Sequence, residues 1–206
     1  MEYGPDFICI GAQKSGTSWL HYNLFLHPEM EMPPEKKINF YLTDFCPWWE
    51  RYLFNLFVKH SNIYSHLRSQ YLAWLQDTNK KDSLEWYKHF LFLPPTIQNY
   101  RKLFPKSHGK KSGDISPGYA QMPERRIKEL AKAFPNLKII YLLRNPIDRT
   151  WSQFKMINKD LLLTKKDNND IDTDILRHIM DEKYIFLSNY KISLEHWERF
   201  FPGRVK

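Results

Sequence analysis

Only seven glycines and two cysteines occur in these 206 residues. No apolar run approaches the ~20 residues that a membrane-spanning helix needs. Scarce glycine beside thirteen prolines implies loops that are short and stiff. Two cysteines, Cys9 and Cys46, exclude a disulfide framework and a cysteine metal site. Cys9 lies in an apolar run and is expected to be buried. The first residues, MEYGPDFICIG, lack a basic stretch followed by a long apolar segment, which excludes a secretory signal. No repeat is visible, and no linker is long enough to divide the chain. These absences point to one soluble domain over residues 1–206, in a reducing, cytoplasmic setting, with no membrane insertion.

What is present is ordinary globular composition: 42% hydrophobic and 26% charged residues, enough for a sizeable core. The net charge of +8 favours anionic partners without selecting one. No basic stripe with interleaved aromatics supports a nucleic-acid partner.

Phe7–Gly11 (FICIG) is short and apolar throughout, the pattern of a buried parallel strand. Thr17–His27 reads as a helix with Leu20, Leu24 and Phe25 at helical spacing, stopped by Pro28. Ile38–Leu42 reads as a short strand or extended turn. Residues 45–104 are aromatic and helix-like, with Trp48, Trp49, Trp74 and Trp86. Residues 110–119 (KKSGDISPGY) read as a loop and a short strand. Pro123–Phe134 reads as a helix that turns Ile127, Leu130, Ala131 and Phe134 to one side. Leu137–Leu143 is the clearest strand. Asn145-Pro146 starts a helix, with Asn as cap, Pro at the first position and Asp148 in the first turn. Lys165–Asp174 is a polar run without the glycine and terminal glutamate of a calcium loop. A last helix covers roughly Tyr184–Phe200. Alternating strands and helices predict an α/β fold, and such sheets bind ligands at the strand-to-helix loops.

Two loops carry the chemistry. The first, Gly11–Ser18 (GAQKSGTS), joins a buried strand to a helix. Such a loop presents free backbone N–H groups and the positive helix end to phosphate or sulfate. Gly16 permits close approach, Ser15, Thr17 and Ser18 offer hydroxyls, and Lys14 offers a point charge. Gly11 and Gly16 have the spacing of the ATP-binding loop, yet Thr17 stands where its lysine belongs. The alternative is a Ser/Gly turn that merely caps a helix. The second stretch is RNPIDRTWS, 144–152. Arg144 closes a strand and Ser152 lies on the next helix, so the two suit a second phosphate. A strand-end arginine such as Arg144, taken alone, is more often a salt-bridge partner.

Taken together, QKSGTSWL at 13–20 and RNPIDRTWS at 144–152 resemble the two nucleotide-binding motifs of the sulfotransferases that use 3′-phosphoadenosine 5′-phosphosulfate (PAPS). The resemblance extends to 32–41, 113–119 and 189–203, and is nearest to the bacterial and heparan-sulfate branch. It implies a P-loop-like three-layer fold with a central parallel sheet flanked by helices. It implies PAPS as cofactor, with Lys14, Ser15, Gly16, Thr17 and Ser18 around its 5′-phosphosulfate and Arg144 and Ser152 on its 3′-phosphate. The reaction would be in-line sulfuryl transfer to a hydroxyl or amine of a small-molecule or glycan acceptor, governed by positioning and charge stabilisation and needing no metal. Residues 45–104 would form a helical acceptor-side insertion, and the chain would stop short of the family's final strand and closing segment.

The family reads K-E-x-H-F-F where this chain has Lys36-Lys37-Ile38-Asn39-Phe40-Tyr41. The position of its general base is therefore Lys37 here, and that of its histidine is Asn39. Lys37 becomes a candidate for binding an anionic acceptor or the sulfuryl group. Asp114 becomes the substitute acid, its alternative being a structural hydrogen bond. Two other functions remain open: a non-catalytic module that binds PAPS or its product, and a small-molecule kinase.

Overall fold

A computed structural model describes residues 4–40, 81–94, 96–104, 109–158 and 182–206. Strand β1 (Phe7–Gly11) is buried at every residue. The first helix, α1 (Thr17–Leu26), comes directly after it, and α2 (Lys81–Phe92) and α3 (Ile97–Arg101) precede β2 (Gly113–Ile115). A 3₁₀ turn (Pro117–Gln121) and α4 (Glu124–Ala133) lead to β3 (Lys138–Tyr141). Then come α5 (Pro146–Ile157), α6 (Glu182–Ser188) and α7 (Tyr190–Phe200). The sheet is parallel in the order β2-β1-β3, with Ile8 opposite Asp114 on one side and Ile139 on the other. Beyond β3, Val205 forms a parallel bridge to Ile139, so the sheet continues outward at the last residues.

The continuous apolar run of β1 is explained by burial on both faces, because successive side chains point to opposite sides. Ile8 and Ile10 join the larger core with Ile127 and Leu130 of α4, Tyr100, Trp197 and Phe201. Phe7 and Cys9 face the other way, with Met32 and Ile115, against Leu20 and Leu24 of α1. The result is the expected α/β fold: helices, parallel sheet, helices. Each fully buried Ile contributes on the order of 1.5–3 kcal/mol.

Several boundaries differ from the sequence reading. Leu20 and Leu24 of α1 reach the sheet, whereas Phe25 is exposed, because it lies a quarter-turn away from that row. The final helix is two helices. Asn189 sits between them at φ −83° and ψ 75°, and Ser188 and Asn189 are residues whose side chains compete with the helical backbone. The Ser188 hydroxyl accepts from Arg149 Nε at 2.7 Å. Residues 38–40 run without regular secondary structure. Trp86 packs in the core and donates to the Leu103 carbonyl at 2.7 Å. Trp48, Trp49, Trp74, Cys46 and the polar run 165–174 lie outside the described residues. Among those described, no helix is long and apolar enough to cross a membrane.

Trp197 is fully buried and donates from Nε1 to the Tyr119 carbonyl at 3.2 Å, joining α7 to the 3₁₀ turn. Trp197→Ala is expected to cost about 3–5 kcal/mol in denaturant unfolding. Trp19, 69% exposed on α1, is expected to stay within about 0.5 kcal/mol of wild type as Trp19→Ala. Equal losses would show that the core assigned to α7 is wrong.

Candidate functional site

The two motif loops leave the sheet at the same edge because β1 and β3 are parallel neighbours. The ladder runs past the strands into the loops. Leu142 N donates to the Gly11 carbonyl at 2.9 Å, and Ala12 N to the Leu142 carbonyl at 2.7 Å. Arg144 Nη1 then donates to the Lys14 carbonyl at 3.1 Å, joining the loops directly. Tyr190 of α7 donates to the Arg144 carbonyl at 2.9 Å. In the second loop, Asn145 Oδ1 accepts from Ile147 N at 2.9 Å, which is the expected cap with Pro146 at the first position.

Between the loops lies a cleft of about 420 Å³. Lys14, Gly16, Thr17, Ser18, Lys37 and Ser152 all line it, together with Lys36 and Asn39. Lys14 is in the left-handed region at φ 69° although it carries a side chain. Such backbone costs energy and persists where the surroundings impose it. Gly16, the N-cap of α1, has φ 90° with open space where a Cβ would stand. Glycine is needed there for handedness rather than room. Helix α1 has no side-chain cap and no acidic residue in its first turn. Its free N–H groups and positive dipole end therefore meet three lysines with no acidic side chain in that turn to balance them. Ser15 Oγ is buried in the loop without a hydrogen-bond partner. A buried hydroxyl left this way is costly, and Ser15 is not among the residues that line the cleft. Arg144 itself is exposed and does not line the cleft; its link to the site is the Lys14 carbonyl.

Sequence reasoning missed Lys36. Its Nζ donates to Ser18 Oγ at 2.5 Å, which fastens the 36–40 segment to α1. The available signal is its place as the first lysine of the pair after Pro33-Pro34. Arg149, the second arginine of RNPIDR, faces inward. It is fully buried and donates to Gln153 Oε1 at 2.5 Å and to Ser188 Oγ. It holds α5 to α6.

Asp114 is placed elsewhere. It is buried in β2, off the cleft lining. Ser116 Oγ donates to its Oδ1 at 2.6 Å and Tyr100 OH to its Oδ2 at 3.0 Å. The same groups support the lysine segment: Asn39 N donates to Ser116 Oγ at 2.9 Å, and Phe40 N to Tyr119 OH at 3.0 Å. Burial pushes the Asp114 carboxyl up to about 6, with the Ser116, Tyr119 and Tyr100 hydroxyls opposing the rise.

Residues 5–206 match the profile of the sulfotransferase family. The chain belongs to that family. It is 27% identical over 151 residues to the membrane-associated sulfotransferase kil1 of Dictyostelium discoideum, covering 73% of this chain and 22% of that protein. It is 21% identical over 206 residues to the human bifunctional heparan sulfate N-deacetylase/N-sulfotransferase 2, covering 97% of this chain and 19% of that protein. The sequence thus spans about a fifth of the length of these two relatives. In fold it is similar to a sulfotransferase from Alicyclobacillus acidocaldarius, with a TM-score of 0.58 at 21% identity, over 98% of this chain and 71% of that one. The fold is therefore that of a sulfotransferase, with the lysine-lined cleft between its two motif loops.

The raised Asp114 group makes a pH prediction. Its carboxyl rises from an ordinary 3.8 to about 6 on folding, so its favourable contribution is complete below 3.8 and is lost as pH climbs through 6. Asp114→Asn cannot ionise. Between pH 4 and pH 7, wild-type unfolding free energy is expected to fall relative to this variant by up to about 3 kcal/mol. A gap that stays constant with pH in denaturant titrations would remove the buried, titrating carboxyl.

Proposed function

We propose that this chain is a sulfotransferase that takes its sulfuryl group from PAPS and delivers it to a hydroxyl or amine of a small-molecule or glycan acceptor. The observation that carries the reading is the bond between the two motif loops at one cleft, with Lys14 on one side and Ser152 on the other. The residues fit such a donor: an uncapped helix N-terminus, an unpartnered buried Ser15 hydroxyl, and a lysine-lined cavity. When bound, PAPS supplies a sulfuryl group on a good phosphate leaving group. The backbone at Ser15–Ser18 and the hydroxyls of Ser15, Thr17 and Ser18 hold its 5′-phosphosulfate. Lys14 stabilises the charge that grows on the departing oxygen. Arg144 and Ser152 hold the 3′-phosphate, with the guanidinium fork giving two parallel hydrogen bonds.

Lys37 is exposed on the cleft and suits a negative group on the acceptor or the sulfuryl oxygens themselves. Asp114 acts in this reading through the segment it holds, as a positioning residue. The heparan sulfate in the name of the human relative supports a glycan among the acceptors. Residues 45–104 belong to the acceptor side in this proposal, although Trp86 serves the core. Membership of the sulfotransferase family and Thr17 at the lysine position of an ATP loop both count against the kinase alternative. The free, buried Cys9 supports the reducing, cytoplasmic setting. A second reading, binding of PAPS or its product without transfer, is favoured by one observation: Lys37 and Asn39 occupy the Glu and His positions, and Asp114 lies off the cleft.

Calorimetry with adenosine 3′,5′-bisphosphate and AMP tests the donor assignment. The bisphosphate is expected to bind at least about tenfold more tightly, and Arg144→Ala to erase most of that difference, in line with a lost charge-assisted bond. Equal affinities in the wild type would sink the roles of Arg144 and Ser152. Lys14→Met is expected to slow sulfuryl transfer about 100-fold or more. The two readings part in an acceptor screen with PAPS. Binding without transfer, with transfer gained by the double change Lys37→Glu and Asn39→His, would select the non-catalytic module.

A further inference from the structure

Lys36 and Lys37 are adjacent in sequence and both line the cleft, yet their settings differ. Lys37 is exposed. Lys36 is half-buried, and its ammonium meets Ser18 Oγ, a hydroxyl in the first turn of α1. A cation held against a helix N-terminus is in the wrong place electrostatically, since that end of the dipole repels it. Lys14 and Lys37 add like charge. The backbone leaves Lys36 little choice. The residues just after it are pinned by Asn39 N on Ser116 and Phe40 N on Tyr119, both tied to the buried Asp114. An expensive arrangement fixed this firmly calls for an anion that rewards it.

We propose that Lys36 is a donor-binding residue of the cleft, its ammonium spanning Ser18 and the 5′-phosphate oxygens of the nucleotide. This rests on the PAPS reading and adds to it the residue that meets the loop from the opposite wall. Burial lowers the tendency of Lys36 to hold a proton and Lys37 lowers it further; the Cys9 thiol of β1 works the other way, and Lys14 adds a smaller lowering. His21, one turn along α1 from Ser18, is itself kept towards its neutral form by burial and by Lys36. A phosphate at the loop favours the charged form that burial and the neighbouring lysines oppose.

The test is calorimetric titration of the full chain with adenosine 3′,5′-bisphosphate, using wild type, Lys36→Met, Lys36→Arg and Lys37→Met. Lys36→Met is expected to weaken binding by about tenfold or more, the loss of one charge-assisted contact. Lys37→Met is expected to weaken it by less than about threefold, as an exposed charge. Lys36→Arg keeps most of the affinity, since arginine is charged at every relevant pH. Unchanged binding in Lys36→Met, or equal losses in the Met and Arg variants, would overturn the role of Lys36. A wild type that does not bind the bisphosphate at all would instead remove the donor reading, and this inference would fall with it.

Discussion

Positive charge gathered at one edge of a parallel sheet is the constraint that the rest of this structure accommodates. Lys14, Lys36 and Lys37 converge on the cleft, and the uncapped N-terminus of α1 points its partial positive charge at the same volume. None of these groups is forced there by the hydrophobic core. Surface lysines left to themselves separate into water, where repulsion is weak. Holding them together requires a frame that does not yield. The sheet supplies it, because β1 ends at the loop of Lys14 and its neighbours carry the other two walls.

The stiffest part of that frame is polar and buried. Asp114 lies in β2 directly beside Ile8, and its carboxylate collects hydroxyls from Ser116 and Tyr100. Ser116 and Tyr119 then present oxygens to the backbone of Asn39 and Phe40. An irregular segment next to a core has peptide groups that must find partners. Here the partners come from one network, so the lysine wall is fixed to the sheet without being part of it. The cost is a carboxyl kept near 6, a group the protein would more cheaply leave protonated. A network of this kind trades stability for a fixed position, which is the trade a binding wall needs.

The frame was legible in the sequence to different depths. FICIG could only be a strand buried on both faces, and Asn145-Pro146 could only open a helix, because each is decided by local chemistry. The loop 11–18 was legible for the same reason, a glycine and hydroxyls between strand and helix. Asp114 was not, since its role depends on Tyr100 and on residues 38–40, which only the sheet brings beside it. Lys36 and Lys37 look alike as letters; a half-turn of irregular backbone sends one to Ser18 and leaves the other in solvent. The bond from Arg149 to Ser188 beside the break, across about forty residues, was not legible either.

Arg144 shows how the two loops can act as one site without either being rigid alone. A guanidinium carries five donors in a planar fork. Among the described residues, one of them holds the Lys14 carbonyl, and Tyr190 holds the carbonyl of Arg144 from the other side. The side chain is exposed, so the guanidinium fork is accessible from solvent. An anion can therefore be added to Arg144 without breaking its bond to the first loop. Lys14, whose φ is 69°, offers its carbonyl to Arg144 and its side chain to the cleft. The two loops are thus joined through a single peptide carbonyl, which links an exposed guanidinium to the residue that enters the cleft.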